Sequence, residues 1–99
     1  MISEIEIIPI KPKNGLIGFA SVVLDQKIYL GSIGIHSRLD GTGYRLTYPT
    51  KQVGPRNINI YHPINKDLSK IIEEAIIARF KEVIEKSNDR HNNFNFQGE

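Results

Sequence analysis

Five cations in the central part of the chain have the residue type and spacing to grip phosphate: Arg45, Lys51, Arg56, Lys66 and Lys70. Lysine and arginine neutralise phosphate oxygens, and such contacts fix a protein on a nucleic-acid backbone without reading its sequence. Lys51 and Arg56 fall in a stretch braced by Pro49 and Pro55. Each proline fixes its own φ and pushes the residue before it, Tyr48 and Gly54, out of the helical region. The expectation is a stiff, extended loop that holds two cations at a defined separation. Just downstream, Asn65 is a preferred helix N-cap, and the helix start after it offers backbone N–H groups to an oxyanion beside Lys66 and Lys70. Tyr48 and Tyr61 flank the loop and could stack on bases, although at alternating strand positions a place in the core or at its rim is the simpler account.

Other chemistry fits the chain poorly. The histidines are His36, His62 and His91, with no His-x-x-x-His, no cysteine and no carboxylate spaced to complete a three-ligand set, so no metal site is expected. His62 shares a strand face with Ile58 and Ile60, and a ring bonded to backbone at the strand-to-helix junction explains it best. None of Ser21, Ser32, Ser37 and Ser69 sits in a Gly-x-Ser-x-Gly turn, and no carboxylate pair lies in an apolar context. The run from Gly31 to Gly34 lacks the lysine and the strand-to-helix setting of a phosphate-binding loop. An enzyme is therefore not expected, nor a cofactor, nor a small-molecule substrate.

With 99 residues the chain makes one domain, in which folding removes about 65% of the unfolded surface from water, enough for one thin core. The absence of cysteine suits a reducing cytoplasm. The opening Met1-Ile-Ser-Glu-Ile-Glu6 has neither a basic n-region nor a long apolar run, so neither a secretory leader nor a membrane partner is expected. Formal net charge is only +2, but it is unevenly spread: residues 1–64 carry seven Lys/Arg against four Asp/Glu, and residues 65–99 six against seven. Within residues 38–57, Arg38, Arg45, Lys51 and Arg56 face Asp40 alone. An anionic partner would need such a concentration, although four cations here could also be ordinary solvated surface.

The elements that must carry these residues can be read in order. Ile2 to Ile10 alternates with a slip in phase around Ile8 and Pro9, which points to a bulge or a sheet edge. Asn14-Gly15 marks a hairpin. Ile17 to Leu24 is apolar on both faces, as a central strand would be. Ile28 to Ile35 follows, read with Tyr29, Ile33 and Ile35 on one face and Ile28 and Leu30 on the other. Asp40-Gly41 tips the next turn, and Tyr44 to Tyr48 returns with Arg45 opposite the tyrosines. Asn57 to Tyr61 alternates as a half-buried edge strand. Leu68, Ile72, Ile76, Phe80, Val83 and Ile84 recur at helical spacing, giving a helix from about Lys66 to Lys86. Leu68, Ile71, Ala75, Ile77 and Ala78 widen its apolar stripe beyond what one small sheet covers, and a second copy of the chain is the simplest supplier of the missing contact. Residues 87–99, with Phe94 and Phe96 among asparagines, read as a flexible tail.

The order Pro49-Thr50-Lys51, polar basic loop, aliphatic strand, then His62-Pro63-Ile64-Asn65 resembles the septation protein family of stage V sporulation protein G (SpoVG), and Leu24-Asp25 and Asp40-Gly41 fit upstream. The likeness covers roughly residues 4–86. The loop is shorter and less charged than the family pattern, and the tail is Asn-rich where the family's is acidic. The resemblance implies a cytoplasmic bacterial regulator that binds DNA, and RNA as well, with effects on cell division, sporulation or virulence genes. Lys51 matches the family's lysine after Pro-Ser/Thr and Arg56 its basic residue before the aliphatic strand; Lys66 and Lys70 match only in kind. The fold expected is α+β, an antiparallel sheet of about five strands with one long C-terminal helix packed on it, forming a homodimer through strand edge and helix. The competing expectation is a non-enzymatic protein-interaction module that uses the broad apolar helix face.

Overall fold

The computed structural model describes the backbone of residues 1–98 and the side chains of residues 1–86. Four strands, β1 (Ile2–Lys13), β2 (Leu16–Leu24), β3 (Ile28–Ser37) and β4 (Tyr44–Thr47), form an antiparallel meander in the order β1-β2-β3-β4. A separate two-stranded ribbon, β5 (Thr50–Val53) and β6 (Arg56–Asn59), follows, and then helix α1 (Lys66–Gly98). The fold is α+β, as the patterning indicated. The sheet has four strands where about five were expected, because the strand read at Asn57–Tyr61 pairs only with its neighbour in the ribbon.

Each turn follows from local chemistry. Asn14 and Gly15 both take positive φ, 53° and 90°, the arrangement a tight two-residue hairpin needs to match strand twist. β1 lies at the edge of the sheet and its pairing with β2 slips between Pro9 and Lys13, where the apolar phase breaks in the sequence. At the β3–β4 turn the Asp40 carboxylate accepts from Thr42 N at 3.0 Å and Thr42 Oγ1 at 2.6 Å. These bonds hold its carboxyl below the ordinary 3.8.

One side of the sheet meets the helix. Ala20, Val22, Ile33 and Ile35 are buried against Ile72, Ile76 and Phe80, with Tyr44 edge-on to Phe80 at 5.4 Å between ring centroids. Close approach requires Gly18, where a Cβ would stand 3.3 Å from Phe80 Cε1 and 3.1 Å from the Ile8 carbonyl oxygen.

The faces of β3 differ from the simple alternation. Ala20 pairs with Ile33 but Val22 with Leu30, so two steps on β2 oppose three on β3, and Ser32 sits in the bulge at φ 61°. The extra residue resets the phase. Leu30 therefore packs on the core with Ile33 and Ile35, and Tyr29 turns outward, 67% exposed.

The helix begins where the sequence placed it: Leu68 N donates to Asn65 Oδ1 at 2.8 Å. It runs to Gly98, past the Lys86 at which the apolar period stops. The flexible tail expected over residues 87–99, with Phe94 and Phe96, falls on side chains outside the described residues. Of the apolar residues that widened the stripe, Ile71 is the large one left exposed; Leu68 packs on the core. Larger apolar exposure lies at Leu39 on the β3–β4 turn, at Ile64 before the helix, on the sheet's outer face at Ile8 and Tyr29, and on the ribbon.

Candidate nucleic-acid interface

Lys51 and Arg56 are not on an irregular loop. They lie one on each strand of the ribbon, because Gly54 and Pro55 form a two-residue turn that folds the stretch back on itself. Val53 pairs with Arg56 across that turn, Gly54 takes φ 62°, and the proline's fixed negative φ completes a type II′ hairpin. Pro49 still braces the base, where its carbonyl accepts from Ile60 N at 2.9 Å. A proline-stiffened stretch was legible; its pairing was not.

The register assigns the ribbon's faces. Residues directly opposite share a face, and the pairs are Thr50 with Asn59, Lys51 with Ile58, Gln52 with Asn57, and Val53 with Arg56. Lys51, Val53, Arg56 and Ile58 therefore stand on one side, and Thr50, Gln52, Asn57 and Asn59 on the other. Lys51 and Arg56 form a diagonal pair, about 7–8 Å apart at the backbone. Every residue of both strands is exposed, and the ribbon packs extensively on no other element. The half-buried edge strand expected at Asn57–Tyr61 is thus corrected: Ile58 and Ile60 are 49% and 61% exposed.

The other candidates fall in two places. Lys66 opens α1 and Lys70 follows it four residues later, so they share one helix flank, with Asp67 in the same first turn. Both are exposed. Arg45 lies on β4 opposite His36 and lines, with Arg38, Leu39 and Asp40, a shallow concavity of about 290 Å³ at the β3–β4 turn. Arg45 thus groups with Arg38, a cation of the same stretch that was not among the five candidates. Among the described residues the ion pairs are Met1 N with Asp25 and Arg79 with Glu82, and none engages the five candidates.

The aromatic residues beside the ribbon are structural. Tyr48 and Tyr61 meet edge to face at 5.9 Å, and Tyr61 Oη donates to the Gly31 carbonyl at 2.6 Å. Burial, reinforced by Tyr48 and Tyr29, pushes the Tyr61 phenol up to about 12. Among the described residues the buried Tyr48 hydroxyl has no hydrogen-bond partner, and burial followed by Glu73 raises its phenol too. With His62, Pro63, Leu30, Leu68 and Ile72 these rings line a half-open concavity of about 170 Å³ at the helix start. His62 itself is exposed and donates from Nδ1 to the Pro63 carbonyl at 3.2 Å, the backbone bond expected of it. His36 bonds Thr47 Oγ1 at 2.9 Å, and burial together with Arg45 lowers its protonation range below 6.5. Among the described residues no three of His, Cys, Asp and Glu converge as metal ligands, and no helix is long and apolar enough to cross a membrane.

Residue-by-residue reading missed the exposed polar row Thr50, Gln52, Asn57 and Asn59. Its signal was present: two alternating runs on either side of a Gly-Pro pair. Among known proteins, neither a protein-family model nor a curated protein matches the chain.

Proposed function

We propose that the protein is a nucleic-acid-binding regulator that grips phosphate backbones through its ribbon and helix start, as the SpoVG-like motifs imply. The observation that carries this is a run of unopposed positive charge centred on the free ribbon. From Gly41 to Lys66 the chain has no acidic residue, and Arg45, Lys51, Arg56 and Lys66 all fall in that span, exposed and outside any ion pair among the described residues. Exposed cations outside any ion pair keep their full attraction for a polyanion. The regulator acts in the cytoplasm on DNA or RNA, in cell division, sporulation or related gene expression. It works as a homodimer, so that two weak patches engage one long strand together.

A salt titration of binding to mixed nucleic-acid pools tests this. Each phosphate contact contributes about −0.9 to the slope of log K against log salt on duplex DNA. Replacing Lys51 and Arg56 together by alanine should therefore flatten the slope by about 1.8. An unchanged slope would reject their role.

A second reading has one observation in its favour. Ile8, Phe19 and Tyr29 line, with Glu6, Ala20, Ser21 and Ser32, an open concavity of about 300 Å³ on the sheet's outer face. A protein-interaction module would use that face, not the helix stripe. A sharply dimeric sizing profile with no salt-dependent nucleic-acid binding would favour it.

A further inference from the structure

The two faces of the ribbon differ in what they can recognise. The Lys51 and Arg56 face can neutralise charge but carries no hydrogen-bond acceptor in its side chains. The opposite face holds Gln52 directly across from Asn57 and Thr50 directly across from Asn59, all exposed. Gln52 Nε2 is held only by a 3.4 Å bond to the Gly54 carbonyl. Carboxamides present a donor and an acceptor side by side, the pattern that matches N6 and N7 of adenine in the major groove.

The dimensions agree with a groove. Strands about 4.8 Å apart, with their side chains, suit the roughly 12 Å width of the B-form major groove, which admits a two-stranded ribbon. A four-residue strand spans about 14 Å, and same-face residues recur every ~6.8 Å, close to two base-pair steps of ~3.4 Å. With the amide row toward the groove floor, Lys51 on β5 and Arg56 on β6 lie one toward each groove wall. Their long stems can carry the charge to the flanking phosphates.

Building on the nucleic-acid reading above, we infer that the ribbon enters the major groove of duplex DNA, with Gln52 and Asn57 reading adenine edges while Lys51 and Arg56 hold the two backbones. A-form RNA is excluded as the equivalent ligand, because its major groove is too narrow and deep for side chains to read.

The test compares the full chain with Gln52→Ala/Asn57→Ala and with Lys51→Ala/Arg56→Ala. The probes are A·T-rich and G·C-rich DNA duplexes and an RNA duplex of the A·T-rich sequence. Circular dichroism confirms that each variant keeps its fold. The unaltered protein should prefer the A·T-rich DNA over both other probes. The amide variant should lose about tenfold of that preference per adenine contact while keeping its salt slope. The cation variant should weaken on every DNA probe alike and keep the preference. An amide variant that retains the preference, or equal binding of DNA and RNA duplexes, overturns the groove reading and leaves the phosphate reading standing. Salt-independent binding, or none, overturns both.

Discussion

Replacing Gly54 by alanine should open the ribbon without unfolding the domain. Gly54 holds φ 62° at the first central position of a type II′ turn, and a Cβ built there meets nothing within 4 Å. The penalty is therefore one of backbone conformation, about 1–3 kcal/mol for an L-residue held at a φ/ψ that glycine alone adopts freely. Ordinarily a cost of this size spreads over a whole cooperative unit. Here the ribbon packs extensively on no other element, and an isolated hairpin is marginal in water, so the loss should appear as local opening. At about 1.4 kcal/mol per factor of ten, ribbon amides should exchange roughly 5- to 140-fold faster. The Ile60 amide, bonded to the Pro49 carbonyl, is the natural reporter at the ribbon's base. The core, closed by Ile33, Ile76 and Phe80, should keep its urea midpoint. A lowered midpoint with unchanged exchange at residues 50–59 would refute this separation, since it would mean that ribbon and core unfold as one.

Three further outcomes follow from groups already described. Tyr61→Phe removes a 2.6 Å bond and should cost about 0.5–1.5 kcal/mol, whereas Tyr48→Phe removes a buried hydroxyl with no partner and should be neutral or stabilising in the same urea melts. Because the Tyr61 phenol titrates near 12 when folded and near 10 when unfolded, its contribution is complete below pH 10 and is lost as pH rises toward 12. Asn65→Ala leaves Leu68 N without its cap and should lower stability by about 1 kcal/mol by denaturation. For His36, burial and Arg45 depress protonation in the folded chain, so the unfolded chain binds the extra proton and stability falls as pH drops below 6.5, levelling off under the folded pKa. His36→Gln, which keeps a hydrogen-bonding group toward Thr47, should flatten that fall in urea midpoints measured across the range; parallel profiles would remove His36 as its cause.

How much of this was legible depended on whether a pattern had one physical cause or two. Asn14-Gly15, the Asn65 cap and the Ile72, Ile76, Phe80 stripe each have one, and each stands where the sequence put it. The faces of β3 were misread because Ser32 adds a residue that period-two counting cannot see. A bulge is defined by its partner strand, and the partner of Ser32 is not adjacent in sequence.

The ribbon shows the second kind of ambiguity. Alternation of Asn57 and Asn59 with Ile58 and Ile60 has the same sequence signature whether one face is buried or both are wet. Burial is the usual cause, and here it is absent within the protomer. Because no other element packs extensively on β5 and β6, their order rests on the Gly54-Pro55 turn, the Pro49 brace and four cross-strand pairs. An element so held, with amides on one face and cations beside aliphatics on the other, has nothing to contribute to the core. Its chemistry is directed outward on both faces at once. Occupying the amide face with a groove would leave Val53 and Ile58 in water, and their exposure is thus the one feature the groove placement does not relieve. A second copy covering Val53 and Ile58 would also cover Lys51 and Arg56, which share their face, so dimerisation through this side and the groove placement exclude one another. Val53→Ser/Ile58→Ser should therefore leave both the sizing profile and the preference for A·T-rich duplex unchanged, and a shift toward monomer would count against Lys51 and Arg56 holding phosphate.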